Sequence, residues 1–366
     1  MSRLDPTSKT RPETPVVNSY SEWDPLEEVI VGIVDGACLP PWHPCLRATM
    51  PPGCQPIPRS TVPTLFPDEL TKAARQELDI FVHILESEGV IVRRPDPPVP
   101  GRSYSTPDWT CPNGLYAAMP RDLLFVFGND IIEAPMAWRS RYFEVHAYRS
   151  LLKDYFRKGA QWTAAPKPQL LDDLYDSRYV VPHDGVFSGS VLTEFEPTFD
   201  AADFVRCGRD VFYQKSHVTN EFGVEWLRRH LEGRCVLHEL RFRDSHPMHI
   251  DATFLPLAPG KVLVNDERVD RLPDMFHDWE VLSAPPPCIP KSHPMYLSSR
   301  WVSMNVLMLD EKRVIVEREE EALIASLRRW GFEPIPCPFR SFNSFGGSFH
   351  CATLDVRRRG EPKSYF

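Results

Sequence analysis

Residues 67–95 read PDELTKAARQELDIFVHILESEGVIVRRP. Apolar residues recur there at i, i+3 and i+4, which lays one hydrophobic stripe along an α-helix. Gly89 follows the stripe as a C-cap glycine would, and the apolar run beyond it reads as a strand. The same helix–loop–strand order returns four more times. FEVHAYRSLLKDYFRKG leads into AQWTAAP, and NEFGVEWLRRHLEG into RCVLHELRF. DRLPDMFHD leads into WEVLSAP, and EREEEALIASLRRWG into FEPIPCPF, the fourth helix being short. Between these units lie strand pairs around tight polar turns, LLFVFGNDIIEAP and NVLMLDEKRVIVE, while GRDVFYQ and GKVLVND read as single strands. Five helix–strand units separated by strands predict five modules of one design. Such modules can close into a ring that leaves no sheet edge exposed. The competing reading is an ordinary α/β sandwich.

Composition narrows the function. The 366 residues are 42% hydrophobic and 25% charged, enough for a substantial core. A formal charge of −8 argues against nucleic acid or an anionic membrane as partner, and the runs Arg228-Arg229 and Arg357-Arg358-Arg359 are too short to reverse it. Nine cysteines without a CxxC pair or finger spacing argue against a disulfide framework or structural zinc, and for a reducing compartment. Residues 1–17 read as a disordered lead without a signal or transit segment, so the expected location is the cytoplasm. Two proline-rich stretches, Leu39–Pro67 and Pro95–Pro112, read as long ordered loops that cover a site.

Several polar residues could carry chemistry. Cys351 follows Gly346 and Gly347, which allow the backbone to bend closely around a ligand. A lone cysteine is more often a buried apolar residue, and a reactive one needs a histidine or cation nearby. His350 is adjacent, but chain neighbours in an extended segment face opposite ways. In PMHIDAT, His249 and Asp251 share one face of an extended chain, which suits an acid/base beside a cation-binding carboxylate as well as it suits a solvated pair. In EFEPTFDAADF, four acids lie among phenylalanines, and Asp203 follows two alanines that leave room for a ligand. Asp122 opens a strand and is equally a turn residue paired with Arg121. No phosphate-binding glycine loop or His/Glu zinc spacing is present. A cysteine nucleophile among carboxylates suits a cationic substrate, and a guanidinium fits better than an ester or peptide.

The stretches SYSEWDPLEEVIVG (19–32), MPRDLLFVFGNDIIEAPMAWRSRYFE (119–144), FEPTFDAADFVRCGRD (195–210), HPMHIDAT (246–253), NVLMLDEKRVIVE (305–317) and GGSFHCATLDVRRRG (346–360) closely resemble the arginine:glycine amidinotransferases and their bacterial relatives in specialised metabolism. The likeness runs from about Asn18 to Phe366, implying one domain over 18–366. It implies the five-bladed α/β propeller, or pentein fold, with ββαβ-type modules around a central channel. It also implies roles. Cys351 is the nucleophile, His249 the acid/base and Asp203 the carboxylate that orients and charges the imidazole. Asp122 and Asp251 grip the guanidinium, Arg268 takes the substrate carboxylate, and Ser298 and Ser299 lie near the α-amino and carboxylate groups. Met248 is retained, while His246 stands where the vertebrate glycine-specific enzymes carry Asn on a loop that closes over substrate.

The reaction so implied is a ping-pong transfer of the amidino group of L-arginine to a primary amine, without metal or organic cofactor. Its partners are small molecules, with a homodimer as the family expectation. Glycine is the expected acceptor. Lysine or a larger amine of natural-product biosynthesis is the alternative, followed by a guanidine hydrolase of the deiminase type and a non-catalytic binding module.

Overall fold

A computed structural model describes residues 15–58, 62–182 and 185–366. Five three-stranded sheets carry the fold, and each repeats one connection. An antiparallel hairpin comes first; the chain then crosses over and returns as a third strand parallel to the hairpin's second. Leu124–Phe127, Asp130–Glu133 and Gln161–Ala164 form one such sheet. Phe204–Cys207, Asp210–Tyr213 and Val236–Glu239 form the next. Phe254–Ala258, Lys261–Val264 and Glu280–Ser283 follow, then Leu307–Met308, Arg313–Glu317 and Glu333–Cys337. The remaining sheet joins the two ends of the chain: Thr353–Arg358 pairs antiparallel with Leu26–Val31, which pairs parallel with Ile91–Arg93. First and last strands thus share one blade, and the five modules close on themselves, as expected from the repeat.

Helices make four of the five crossovers: Asp68–Ser87, Arg149–Arg157, Glu221–His230 and Glu321–Arg329. The stripe of Asp68–Ser87 is buried at Ala74, Leu78, Phe81 and Leu85. The fourth crossover departs from the expectation, because it is a single 3-10 turn, Asp274–Phe276. Pro273 caps that turn, and the segment is too short for a helix to nucleate. GRDVFYQ and GKVLVND are likewise not single strands. Each is the second strand of a hairpin whose first strand, Phe204–Cys207 or Phe254–Ala258, runs directly out of a polar motif.

The interior between blades holds a buried ionic lattice. Arg206 binds Glu22 and Asp355 at 2.8 and 2.7 Å, Arg121 reaches Asp355 at 2.7 Å, and Arg358 also binds Asp355 at 2.9 Å. Buried charges of this kind hold only when paired on every side. Of the lead expected over 1–17, residues 1–14 lie outside the described residues, while Val16 and Val17 pack on the core. Among the described residues, no helix is long and apolar enough to cross a membrane.

Candidate active site

Each blade enters its first strand through a short turn, and these turns converge. Pro120–Leu123 carries Asp122, Ala201–Asp203 carries Asp203 beside Asp200, and Ile250–Ala252 carries Asp251 beside His249. Arg300–Met304 lies between Ser299 and Asn305, and Cys351 sits just ahead of Thr353–Arg358. Residues far apart in sequence therefore meet at equivalent points of the repeat. The sulfur of Cys351, a ring nitrogen of His249 and a carboxylate oxygen of Asp122 all lie within 4.8 Å of one another, and all three side chains are buried.

His249 adopts φ +65°, which costs a β-carbon residue strain and needs a reason. Asp203 supplies the restraint. Its Oδ1 accepts the His249 backbone N–H at 2.9 Å and a Gln214 Nε2 hydrogen bond at 3.2 Å. Its Oδ2 accepts from the Ser216 and Thr219 hydroxyls at 2.6 and 2.5 Å. The expected contact between Asp203 and the imidazole is not made, since all four of these bonds turn its carboxylate toward backbone and hydroxyls. Asp200 takes that place instead, with Oδ2 3.1 Å from His249 Nε2, while Asp122 Oδ1 lies 3.6 Å from Nδ1. Burial opposes a charge on His249. Asp122 and the bonds to Asp200 and Cys351 outweigh it and raise the imidazole well above its usual value. Burial also pushes Asp203 up to about 6.

The other two acids of EFEPTFDAADF are structural. Glu194 accepts the N–H groups of Glu221 and Phe222, and Glu196 those of Gln169 and Leu170. Asp122 does not pair with Arg121, which is spent on the ionic lattice. Its Oδ2 is held by Arg141 at 2.8 Å. Burial nevertheless raises Asp122. Arg141 is anchored in turn by both oxygens of Glu144, at 2.8 and 3.0 Å. Among the described residues, Asp122 Oδ1 and Asp200 Oδ1 are buried without a hydrogen-bond partner, though Asp122 Oδ1 faces His249 Nδ1, and acceptors of this kind suit a donor-rich cation.

Asp251 Oδ2 accepts from His350 Nδ1 at 2.6 Å and from the Cys351 thiol at 3.5 Å. Burial opposes the Asp251 charge, but His350 outweighs it and holds the carboxyl below the usual range. His350 Nε2 meets Glu22 at 3.0 Å, so this histidine does face away from Cys351 and reaches the site through Asp251. Burial, with the charge of Asp251 adding, pushes the Cys351 thiol up to about 12 despite the hydrogen bond from His249. These surroundings favour the thiol form of Cys351.

Above Cys351 lies a pocket of about 40 Å³, lined among others by His246, Met248, Arg268, Ser298 and Ser299. All five were expected at the site. Arg268 Nη1 is held by Asp244 at 2.9 Å and donates to Thr253 Oγ1 at 3.1 Å, and Nη2 reaches Ser299 Oγ at 3.4 Å. Ser298 Oγ is buried without a partner. Of the two proline-rich stretches, only Leu39–Pro67 reaches this pocket, through Thr49 and Pro51. Cys54 Sγ ties it down to Ser298 O at 3.5 Å. Pro95–Pro112 lines a separate cavity of about 550 Å³ instead.

Asp200, Arg141 and Asn305 are the residues that sequence reasoning missed. Asp200 stood in the same quoted motif, whereas a buried Arg or Asn gives no local signal. Asp122, His249 and Cys351 are also of metal-binding types. Here Asp122 already faces a guanidinium and His249 two carboxylates, an arrangement that favours imidazolium over a neutral ligand.

No protein-family profile matches the chain. It is 55% identical over 353 residues to the L-arginine:L-lysine amidinotransferase of Pseudomonas savastanoi pv. phaseolicola, covering 96% of this chain and 97% of that protein. It is 49% identical over 365 residues to the mitochondrial glycine amidinotransferase of Danio rerio, covering 98% and 86%. Among solved structures it resembles SxtG, an amidinotransferase from Microseira wollei in the saxitoxin biosynthetic pathway. That match has a TM-score of 0.89 and 55% identity, covering 96% of this chain and 99% of that one.

Proposed function

The chain belongs to the amidinotransferase family, and from that premise we propose that it moves the amidino group of L-arginine through an amidino adduct of Cys351 to the primary amine of an amino acid, lysine first. The observation that carries this reading is the ring of carboxylates around a protonated thiol. Asp122, Asp200 and Asp251 surround the sulfur and His249, and two of their oxygens wait unpaired. A guanidinium supplies the missing donors. Its charge also offsets that of Asp251, which lies 3.5 Å from the sulfur and adds to burial in keeping the thiol protonated.

With arginine in place, the Cys351 thiol passes its proton along its hydrogen bond to Asp251 Oδ2 and on to solvent, and its sulfur bonds to the guanidino carbon. The carbon–nitrogen bond to ornithine breaks, and His249, kept charged by Asp200 and Asp122, protonates the departing amine. The incoming amine reverses these steps, with the now neutral His249 accepting its proton. Arg268 and the two serines hold the α-carboxylate and α-amino ends. The pocket has room for about three water molecules. Substrate therefore enters as the segments bearing His246 and Thr49–Pro51 part, and their return excludes water from the adduct.

Lysine displaces the glycine expected from sequence for two reasons. Its ω-amine stands off from its α-carboxylate much as that of ornithine does, so Arg268 can serve donor and acceptor in turn. The relative named for lysine is also more similar to this chain than the glycine relative quoted above. His246, at the pocket wall, departs from the Asn of the glycine-specific type.

Arginine labelled at the guanidino carbon, offered with equimolar lysine and glycine, tests this reading. Label in homoarginine is the expected result, and label in guanidinoacetate moves the acceptor to glycine. Label in urea or citrulline, or no adduct on Cys351, overturns the reaction class.

A further inference from the structure

Asn305, which the mechanism above leaves unused, lies between Arg300–Met304 and Leu307–Met308. It is 1% exposed and touches the nucleophile. Its Oδ1 accepts the backbone N–H of Cys351 at 2.9 Å and that of Ser348 at 3.2 Å. Its carbonyl accepts the His350 N–H at 3.3 Å. Its Nδ2 lies 3.2 Å from Cys351 Sγ. The orientation of the amide is not free. Exchanging its oxygen and nitrogen would set N–H groups against two backbone donors and lose both bonds, so the NH₂ must face the sulfur.

Resting on Cys351 as the nucleophile, we propose that Asn305 is a catalytic residue whose side-chain amide donates a hydrogen bond to the reacting sulfur and stabilises the thiolate. The groups that face this sulfur make such a donor necessary. Burial and the carboxylates of Asp251 and Asp122 oppose a negative sulfur. His249 favours the thiolate, but its proton leaves with ornithine. Asn305 has no proton to lose. It holds the sulfur in the same state while the amine attacks and the thiolate departs from the amidino carbon. The same residue fixes the loop by its oxygen and the charge by its nitrogen, which separates two roles within one side chain.

That separation supplies the test. Asn305→Asp keeps the oxygen that accepts the two N–H groups and removes the donor. Asn305→Ala removes both. The rate of Cys351 alkylation by iodoacetamide between pH 7 and 10, followed on the Cys351 peptide by mass spectrometry, reads the thiolate without arginine or acceptor. A hydrogen bond to a charged group displaces such a pKa by about one to two units. Alkylation at fixed pH is therefore expected to slow by about 10- to 100-fold in both variants. Only Asn305→Ala should lower the melting temperature appreciably. An unchanged alkylation rate in either folded variant overturns the proposal. Asn305→Asp also sets a negative charge beside the sulfur and should slow alkylation further, so if Asn305→Ala fails to fold, the milder Asn305→Ser, with the same slowing of about 10- to 100-fold expected, takes its place. Absence of amidino transfer in the unmodified protein would sink the function proposed above and leave this result standing.

Discussion

Replacing Asp200 by Asn separates the two acids that flank Ala201–Ala202. The change keeps the shape of the side chain and removes its charge from beside His249 Nε2, 3.1 Å away. A hydrogen bond between imidazolium and carboxylate contributes about 1.5–3 kcal/mol, which lowers the His249 pKa by about one to two units. The native pKa is raised, so the acid form survives into alkaline pH, and the variant loses it earlier. The alkaline limb of kcat/KM for arginine should therefore move down by about one to two pH units. Its maximum should fall by about 10²- to 10⁴-fold, the range of general acid catalysis. Thermal stability should hold. Asp203→Asn should behave differently, because its NH₂ would replace the oxygen that receives Ser216 and Thr219. Its main loss is about 2–4 kcal/mol of stability, with activity following as the strained backbone of His249 loosens. Rapid-quench measurement of ornithine and of the Cys351 adduct, with melting curves on the same samples, separates the two cases. Wild-type rates and pH limbs in Asp200→Asn, beside a stable but inactive Asp203→Asn, would refute the assignment and return Asp203 to the imidazole.

Gly347→Ala would place a methyl group 2.7 Å from Cys351 Cβ and from Met119 Sδ, so the cysteine must shift. Adduct formation should fall by about 10²-fold with a loss of about 1–3 kcal/mol of stability, and wild-type adduct rates would contradict the close fit. Arg268→Gln should raise KM for arginine while leaving that for its decarboxylated analogue, agmatine, near its starting value. Equal losses on both would remove Arg268 from carboxylate recognition. In the free protein, alkylation of Cys351 should climb about tenfold per pH unit from 7 to 10 without a plateau, because the thiol titrates near 12. A plateau below pH 8 would mean a thiolate already present at rest.

Periodicity made the blades legible. A helix stripe such as that of Asp68–Ser87 faces one way wherever it packs, and the hairpins around Gly128-Asn129 and Asp310–Lys312 declare themselves by their turns. The first strands of the third and fourth blades were hidden because Phe204–Cys207 and Phe254–Ala258 continue from chemically loaded turns that drew the reading toward function. The fourth crossover lacked the length for a helix. At the site, residue types and motifs picked out Cys351, His249, Asp122 and Asp251, which the fold brings together. They could not choose between Asp200 and Asp203, since a 3-10 turn decides which of two acids three residues apart meets the ring and which meets backbone. Arg141 and Asn305 were invisible, because spacing does not show that Arg141, besides its neighbour Glu144, folds back on Asp122 and reaches Asp200, or that Asn305 meets Ser348 and Cys351.

The charge pattern of the site selects its reaction. A cysteine hydrolase acting on neutral amides or esters needs its thiol depressed in the free protein, usually by a cation beside it. Here burial and the charge of Asp251, 3.5 Å from the sulfur, outweigh His249, and the effect is opposite. A neutral carbonyl compound entering the pocket would meet a protonated, weakly nucleophilic sulfur. A guanidinium alters the balance on arrival, because it is a second cation beside His249 and the electrophile at once. In the proposed mechanism the adduct on sulfur is itself an amidinium, so the carboxylates that would receive arginine would hold it after ornithine departs. What discharges it is then decided by access. A bound amine brings its own carboxylate to Arg268 and fills the space that water would need, and His249, having just lost its proton, stands ready to take one. The carboxylate ring and the covered pocket are thus two halves of one requirement: the first admits only a cation, and the second keeps the resulting intermediate for an amine.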